Sequence, residues 1–446
     1  MRFASLCALT VMGLLVPAGA FAHDWQDLPD RAAIMFLTAH PDDEGIFFGG
    51  TLPYYSQVRN LPTVLVGMTS GDFWDYQGFE GGWPREQELR NAAAIYGVPY
   101  EPIFTRFKDV WTDNLSATGL PSFNDPYDPD QTFQWWDDQD DRSGPHYSRG
   151  GNDIYGTPAD SPEQGRRTAA LALAQLIRDR KPTVIATHDP VNGEYGHGNH
   201  KATAIAMQAA WDLAAGRSAS IGSTSIAPDT LSGDPWEAAK VYLHLLDENQ
   251  GAMNALFHTG LEDSRSELGG DSCRDVANDG ANQHVSQGGT DVETIFANGE
   301  GSFGENESNS EEWGLWRSTV GSDTESTIPS AVSDRLDADD IQFLNNQNGG
   351  TWHYGDFLEH VDLTAFADYL ADVDGDGAVD MEDWDLMNGY LGQSVPMGSV
   401  AMGDATGDGY VDEADLAIAR AAGVPEPATL MLLGLGGAAL LKRRRR

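Results

Sequence analysis

An apolar run from Ala32 to Ala39 leads directly into a polar turn, and this junction constrains the fold more than any other stretch of the chain. The run is too short for a helix and stops before Pro41, so it predicts a central parallel strand buried on both faces. The turn carries an imidazole and two carboxylates, those of His40, Asp42 and Asp43. Ligands of open α/β sheets bind at the carboxyl ends of strands. The turn therefore predicts either a metal site or a helix N-cap with solvated acids.

A second segment favours the metal site. The run from Thr183 to Thr187 predicts another strand, and His197 and His200 follow it, just before an apolar helix predicted from about Lys201 to Ala214. Neutral imidazoles and a carboxylate are usual zinc ligands, and three of them with an open fourth position make a catalytic site. Together the two segments predict a catalytic zinc centre at one edge of the sheet.

The stretches Ala-His-Pro-Asp-Asp-Glu (39–44) and Gly-Glu-Tyr-Gly-His-Gly-Asn-His (193–200) resemble the LmbE/PIG-L family of zinc-dependent N-acetylglucosaminyl deacetylases. The resemblance runs from roughly Ile34 to His360. It includes further segments at 85–88, 240–246, 269–287 and 314–321. Several ordered motifs over more than half of the chain make the resemblance specific.

The resemblance implies a role for each polar residue of the two stretches. His40, Asp43 and His200 match the metal ligands of the family. Asp42 then lies beside the metal, where a carboxylate can take the proton of the attacking water as general base. His197 is expected to stabilise the oxyanion or to protonate the leaving amine. The implied reaction hydrolyses an N-acetyl amide to acetate and an amino sugar.

Two further residues are candidates for contacts to sugar hydroxyls. Asp72 follows the predicted strand from Thr63 to Thr69 and so lies at the same sheet edge, and Arg85 begins a predicted helix. Arg85 could equally form a structural salt bridge. Many relatives carry Pro-Asp where this chain has Gly198-Asn199. Those positions are not ligands in the family, so the change concerns how the ligands are oriented.

Predicted strands alternate with predicted helices, which indicates a Rossmann-like, mostly parallel sheet with flanking helices. Helices are predicted at 45–57, 85–96, 162–179 and 272–284, and further strands at 102–107 and 241–246. Ser161 and Gln164 predict a capping box for the third of these helices, with Pro162 at its first position. The long stretch 111–165 is rich in aromatic residues, which either stack on sugar rings or pin the stretch to the body.

The net charge of −42, from 27 basic and 69 acidic residues, argues against nucleic acid or an anionic membrane as a partner. Cations suit such a surface, although proteins of salt-adapted organisms show the same balance. Of the two cysteines, Cys7 lies in a predicted signal peptide, and Cys273 is expected to be a buried, inert thiol.

Two acidic 12-residue loops begin at Asp372 and Asp404 and predict a small α-helical module that binds calcium. Oxygen-bearing side chains occupy positions 1, 3, 5, 9 and 12 of each loop, and Gly occupies position 6. The predicted calcium ligands are Asp372, Asp374, Asp376, Asp380 and Asp383 in the first loop and Asp404, Thr406, Asp408, Asp412 and Asp415 in the second. The pair resembles a dockerin, which implies a cohesin as partner; a calcium-stabilised spacer is the alternative. We expect calcium removal to loosen only this module.

The two ends of the chain predict export. Arg2, an apolar stretch and Ala20-Phe21-Ala22 form a secretory signal peptide. At the other end, Val424-Pro425-Glu426-Pro427 precedes 14 apolar or small residues and a basic end. That tail resembles a PEP-CTERM sorting signal, which implies cleavage by an exosortase. The apolar part is short of the roughly 20 residues that a membrane span needs, so a permanent anchor is the weaker alternative.

The predicted organisation is therefore a signal peptide (1–22), a deacetylase domain (30–362), a dockerin-like module (366–423) and a sorting tail (424–446). The predicted function is a secreted, zinc-dependent deacetylase of a glycan or glycoconjugate that contains N-acetylglucosamine. One alternative is a non-catalytic, calcium-dependent protein that binds glycan or docks on a cohesin. The other is a metal-dependent amidase that acts on a non-sugar amide.

Overall fold

The computed structural model describes residues 23, 25–71, 82–109, 128–136, 161–191, 193–244, 255–259, 261, 264–287, 310–321, 352–354 and 356–424. The strands are β1 (Ile34–Thr38), β2 (Thr63–Thr69), β3 (Ile103–Phe107), β4 (Val184–Thr187), β5 (Ala219–Ile221), β6 (Thr224–Ile226), β7 (Lys240–His244), β8 (Ala255–Thr259), β9 (Ser310–Ser318) and β10 (Trp352–Tyr354). The helices are α1 (Asp43–Phe47), α2 (Thr51–Pro53), α3 (Gly82–Ile95), α4 (Pro129–Trp135), α5 (Glu163–Arg180), α6 (Gly193–Gly196), α7 (Gly198–Ala214), α8 (Cys273–Ala281), α9 (Ala367–Leu370), α10 (Met381–Tyr390) and α11 (Glu413–Ala421).

The main sheet has eight strands in the order β10-β8-β9-β7-β4-β1-β2-β3. The neighbours from β7 to β3 pair in parallel, and only β9 runs antiparallel to both of its neighbours. β5 and β6 form a separate hairpin. The mostly parallel sheet with flanking helices confirms the predicted fold class.

β1 lies at the centre of the sheet because its side chains are apolar on both faces. Ile34 and Phe36 pack in one hydrophobic core, while Met35 and Leu37 pack in the core on the opposite face. β1 pairs with β2 on one side and with β4 on the other, so the chain reverses its direction of winding there. Such a switch point leaves a crevice at the carboxyl ends of the two strands, where the predicted polar turns lie.

Two predicted helical features differ from the observed ones. The single helix predicted over 45–57 is divided into α1, α2 and a π-helical turn, Tyr54–Val58. The π turn follows Pro53, whose missing N–H interrupts the regular hydrogen-bond ladder. The predicted capping box at the start of α5 is wrong. The N-cap is Pro162, so Ser161 lies one residue too early and its Oγ accepts only the Glu163 N–H, at 3.3 Å.

The described part of the aromatic stretch is pinned to the body. α4 buries Trp135 at 4% exposure, and the following Trp136 is fully buried. The Trp136 Nε1–H donates to the carbonyl oxygen of Lys108 over 2.9 Å. Both indoles are therefore packing groups. Three other aromatic residues of the stretch, Tyr127, Tyr147 and Tyr155, lie outside the described residues.

The acidic module consists of α9, α10, α11 and the two loops, and it packs directly on the sheet domain. One continuous core cluster contains Phe36 and Trp313 from the sheet and Leu370, Trp384 and Leu416 from the module. Because the module and the sheet domain share this core, loosening caused by calcium removal need not be confined to the module. Cys273 is buried, as predicted. None of the helices in the described residues is long and apolar enough to cross a membrane.

Candidate metal centre

The turn after β1 presents its polar groups in a strained backbone conformation. Asp42 has a φ angle of 136°, which a residue with a side chain rarely adopts, and α1 begins at the next residue. Such strain costs about 1–3 kcal/mol and is concentrated at functional sites. The Asp43 Oδ2 atom accepts the backbone N–H groups of Ala39 and His40 at 3.0 and 2.7 Å. These two bonds fix the direction of the Asp43 carboxylate.

Three predicted ligands come together at this turn. The His200 Nε2 atom lies 3.1 Å from His40 Nδ1 and 3.3 Å from Asp43 Oδ1, and His40 Nδ1 lies 3.3 Å from Asp43 Oδ2. All three side chains are buried. A tetrahedral ion with zinc-like bond lengths separates its ligand atoms by about 3.3–3.4 Å. The pair distances suit an ion of that size, although His40 and His200 approach different oxygens of Asp43. At this turn, two groups have ligand atoms that all lie within 4.8 Å of one another, and these are His40, His197 and His200, and Asp43, His188 and His200.

Asp109 contacts the other ring nitrogen of His40. Its Oδ1 lies 3.1 Å from His40 Nε2 and accepts a hydrogen bond from Asn199 Nδ2 at 2.7 Å. A proton on Nε2 that is donated to Asp109 leaves the Nδ1 lone pair for a metal ion. The burial of His40 opposes its charge, but Asp109 and Asp43 together raise its pKa to about 10. The ring must lose this proton when it binds a metal ion.

Sequence analysis missed Asp109, although a signal was present. Asp109 follows β3 by two residues, so it lies at the same sheet edge as the two motif turns. It also missed His188, which directly follows β4. The His188 ring stacks on His200 with centroids 4.3 Å apart, and its Nε2 accepts the Ala39 N–H at 2.9 Å. His188 Nε2 also lies 3.3 Å from Asp43 Oδ2, so His188 is a further candidate ligand beside Asp43 and His200.

Arg85 takes part in salt bridges around the site. Its Nη2 donates to Asp42 Oδ1 at 2.9 Å and to the carbonyl oxygen of Pro41 at 2.7 Å, and its Nη1 lies 3.7 Å from Asp109 Oδ2. Arg85 thus forms the structural salt bridge that was one of its two predicted roles. Its other predicted role, a contact to a sugar hydroxyl, stays a prediction. Burial raises the pKa of Asp42 above its ordinary value even though Arg85 opposes this.

Burial would also raise the pKa of Asp43, but His200 and His40 hold it well below its usual range. Two adjacent carboxyl groups in one turn therefore have pKa values shifted in opposite directions. This difference suits two roles, because a metal ligand should stay ionised and a general base should have a raised pKa.

His197 caps helix α7. Its Nδ1 accepts the backbone N–H of Asn199 at 3.2 Å, so the neutral ring carries its proton on Nε2. Its ring centroid lies 4.8 Å from those of both His40 and His200. The pKa of His197 is well below its ordinary value. Burial is the largest cause, and the neighbouring rings of His40 and His200 lower the pKa further. His197 is therefore placed as a neutral hydrogen-bond donor beside the ligand group.

Gly198-Asn199, where many relatives carry Pro-Asp, belongs to the hydrogen-bond network around His40 and Asp109. Asn199 is fully buried, its Oδ1 accepts from the hydroxyl of Thr132 at 3.2 Å, and its Nδ2 lies 3.0 Å from His40 Nε2. Asn199 thus joins α4 to Asp109, the hydrogen-bond partner of His40. Asp72, the other predicted sugar contact, lies outside the described residues.

The segment that ends in His284-Val285-Ser286-Gln287 lies behind the turn. The His284 Nε2 atom and Glu44 Oε1 are 2.6 Å apart, and Glu44 Oε2 accepts the Asp42 N–H at 2.9 Å. Both side chains are buried. Burial opposes the charge of His284, but Glu44 raises the pKa of this imidazole. The pair supports the strained turn from the side of α8.

The acidic module brings its predicted calcium ligands into two compact loops. Ligand atoms of Asp372, Asp374 and Asp383 lie within 4.8 Å of one another, and Asp372 Oδ1 is buried without a hydrogen-bond partner among the described residues. An unsatisfied carboxylate oxygen fits a cation. In the second loop, Asp404 accepts N–H bonds from Gly407 and Gly409 at 2.8 and 2.9 Å.

The loop residues at positions 9 and 12 also begin the helices that follow. Asp380 with Asp383 caps α10, and Asp412 with Asp415 caps α11, each as a capping box. The remaining two acids, Asp376 and Asp408, each accept a backbone N–H two residues later, at 2.8 and 2.9 Å. All ten predicted calcium ligands are thus placed in loops that precede a helix.

Three family models match the chain. The model for GlcNAc-PI de-N-acetylase (PIG-L) matches residues 35–211, dockerin type I matches 370–421, and the PEP-CTERM protein-sorting motif matches 423–446. These matches confirm the three resemblances predicted from the motifs.

Among curated proteins, a 1D-myo-inositol 2-acetamido-2-deoxy-alpha-D-glucopyranoside deacetylase of Mycobacterium leprae is 28% identical over 242 residues, which are 51% of this chain and 65% of that protein. A protein of the same name from Kineococcus radiotolerans is 28% identical over 267 residues, or 56% and 61% of the two chains. The chain thus spans about 65% of the length of the first of these relatives.

The N,N'-diacetylchitobiose deacetylase of Pyrococcus horikoshii has a structure that aligns with 65% of this chain and 86% of its own, at 15% identity and a TM-score of 0.38. The chain is thus similar to the PIG-L family over residues 35–211, to dockerin type I domains over 370–421 and to the PEP-CTERM motif over 423–446.

Proposed function

We propose that this chain is a secreted, zinc-dependent deacetylase that hydrolyses the N-acetyl group of a glycan or glycoconjugate containing N-acetylglucosamine. The observation that carries the proposal is the buried group of His40, Asp43 and His200, next to Asp42 in the same turn. His200 Nε2 lies 3.1 Å from His40 Nδ1, and each of the two imidazoles lies 3.3 Å from one oxygen of Asp43. The names of the two curated relatives support an acetamido sugar as substrate.

A zinc ion held by these three side chains would act as a Lewis acid toward the acetyl carbonyl. Asp42 takes a proton from the water that attacks the carbonyl carbon, and its raised pKa makes it a stronger base. The Nε2–H of His197 donates a hydrogen bond to the developing oxyanion. The C–N bond then breaks, the nitrogen takes the proton that Asp42 accepted and leaves as the amine, and the oxygen of the water remains in acetate.

Other residues position these groups. Asp109 holds the proton of His40 on Nε2, and Arg85 holds Asp42 and approaches Asp109. We keep Asp72 and Arg85 as proposed contacts to sugar hydroxyls. For Arg85 this requires that a substrate hydroxyl share the guanidinium with its carboxylate partners.

Acetate release across a panel of N-acetylated substrates tests the proposal. We expect release from N-acetylglucosamine oligomers and glycosides, and little from N-acetylated peptides. Release from peptides alone would instead indicate a metal-dependent amidase. Binding of the sugars with no release by the zinc-loaded protein would indicate a glycan-binding protein. Asp42→Asn serves as the inactive reference in each assay.

We further propose that the protein is exported and sorted at its C-terminus, with the boundaries 1–22, 30–362, 366–423 and 424–446 for its four parts. The PEP-CTERM match supports processing by an exosortase, and the dockerin match supports calcium binding and a cohesin-type partner. Leu386, Leu391 and Tyr410 are 39%, 40% and 44% exposed and give the module apolar groups for such a partner. Mass spectrometry of the secreted protein would locate both cleavage sites.

A further inference from the structure

Arg59 joins the PIG-L domain to the second calcium loop. It follows the π-helical turn Tyr54–Val58, and its side chain is fully buried. The guanidinium forms an ion pair with Asp356 and also donates to the carbonyl oxygens of Ala405 and Thr406, at 3.1 and 3.5 Å. A buried guanidinium whose partners come from both regions fixes their relative position.

The contact leaves the calcium ligands of the loop available. Ala405 and Thr406 occupy positions 2 and 3 of the loop that begins at Asp404. Calcium loops of this kind use a backbone carbonyl only at position 7, which is Tyr410 here. The guanidinium and a calcium ion can therefore be bound by the same loop at once. Gly407 is required beside them, because a Cβ atom there would overlap Arg59 Nη1.

Further polar contacts surround Arg59. Asn60 Nδ2 donates to the carbonyl oxygen of Tyr369 at 3.0 Å, and Arg265 Nη1 donates to that of Met397 at 3.0 Å. The hydroxyl of Ser399 donates to Glu267. Three contacts from two separate segments of the PIG-L domain thus reach the module, in addition to the shared hydrophobic core.

The docked segment leads directly to the metal centre. Hydrogen bonds of 3.2 Å from Phe48 N to Glu44 O, 2.9 Å from Leu52 N to Phe48 O and 2.8 Å from Arg59 N to Tyr54 O connect consecutive turns. The same segment starts at Asp43, a candidate zinc ligand. Residues 43–59, here called the helical path, therefore connect the two metal-binding regions through α1, α2 and the π-helical turn in succession.

We infer that the dockerin-type module is a fixed part of the enzyme, and that calcium in its second loop stabilises the helical path 43–59 through Arg59. Without calcium, the carboxylates of Asp404, Asp408 and Asp415 repel one another and loosen the loop that presents the Ala405 and Thr406 carbonyls. Calcium restores these acceptors, and the coupling acts in both directions. The inference rests on the proposed calcium loading and not on the deacetylase reaction.

Hydrogen exchange of the full mature protein tests this inference. Calcium is removed by dialysis while free zinc is held constant, and exchange is compared with and without added calcium. We expect calcium to slow exchange over both 372–420 and 43–59 by about tenfold or more, and to leave α7 unchanged. A response over 372–420 without one over 43–59 would overturn the coupling alone. No response in either segment would overturn the calcium loading as well.

Arg59→Met gives the matched test of the contact. We expect calcium to protect α10 in this variant as it does in the wild type, but to lose its effect on 43–59. Arg178→Met is the control, because Arg178 is another buried arginine that donates to backbone carbonyls, those of Ala214 and Leu213 at 2.9 and 3.2 Å. The control should keep the calcium effect on 43–59, and its loss there would contradict a role specific to Arg59. If Arg59→Met does not fold, the wild-type comparison decides.

Discussion

The candidate zinc centre and the two candidate calcium loops differ in how far apart their proposed ligands lie along the chain. His40 and His200 are 160 residues apart and meet only because β1 and β4 are neighbours. Each calcium loop instead carries its ligands within one turn-rich segment, where Gly at position 6 allows the tight turn. A site of the first kind depends on the whole sheet, whereas a site of the second kind is largely specified by local sequence. Variants in the two regions should therefore fail in different ways.

The largest expected effect separates two neighbouring acids of the zinc centre. Asp42→Asn should keep the metal and lower turnover by about 10²–10⁴-fold, because it removes the base without removing a ligand. Asp43→Asn should lose metal and activity together, because it weakens a ligand. Metal content and acetate release measured on both variants check this. Wild-type turnover by Asp42→Asn would exclude Asp42 as the base.

Asp109 tests the part of the centre that the sequence did not reveal. Asp109→Asn should lower zinc affinity by about 10–100-fold, because His40 loses the carboxylate that keeps its proton on Nε2. Competition with a chelator of known affinity measures this. The control is Glu101→Gln, which changes an acid that is 52% exposed and pairs with Arg90. Equal zinc affinity in Asp109→Asn and the control would limit Asp109 to packing.

The same difference, between groups that are close in sequence and groups that only the sheet brings together, separates the residues that could be predicted from those that could not. Both acidic loops and the two motif turns could be predicted because their proposed ligands lie close together in sequence and have a known spacing. Asp109 and His188 follow strands without any motif of their own, so their place depends on which strands are adjacent. The capping box at Ser161 failed for a local reason, since the helix begins one residue later than the pattern predicts. The contact of Arg59 with the module was invisible, because nothing in a sequence shows which surface a second domain covers.

The pH dependence of turnover should report Asp42. A general base must be ionised, and burial raises the pKa of Asp42 above its ordinary value of 3.8. Turnover should therefore fall as the pH is lowered, beginning at a pH above 3.8 and approaching tenfold per pH unit. The assay needs saturating zinc, because protonation of His40 also opposes metal binding. A flat profile down to pH 4 with zinc retained would contradict an Asp42 base of raised pKa.

The smallest expected effect concerns position 3 of the two calcium loops. Asp374 supplies a carboxylate there in the first loop, whereas Thr406 supplies a hydroxyl in the second, 3.4 Å from Asp404 Oδ1. Each added carboxylate strengthens calcium binding in loops of this kind, so Thr406→Asp should tighten the second site by about tenfold. Asp374→Thr should weaken the first site by a similar factor. Calorimetric titration with calcium measures both affinities. The two sites should have similar affinities in Thr406→Asp, and both should be weak in Asp374→Thr. If Thr406→Asp binds no more tightly, Arg59 and the packed sheet domain, rather than ligand charge, set the affinity of the second loop, and the two loops would not be equivalent local sites.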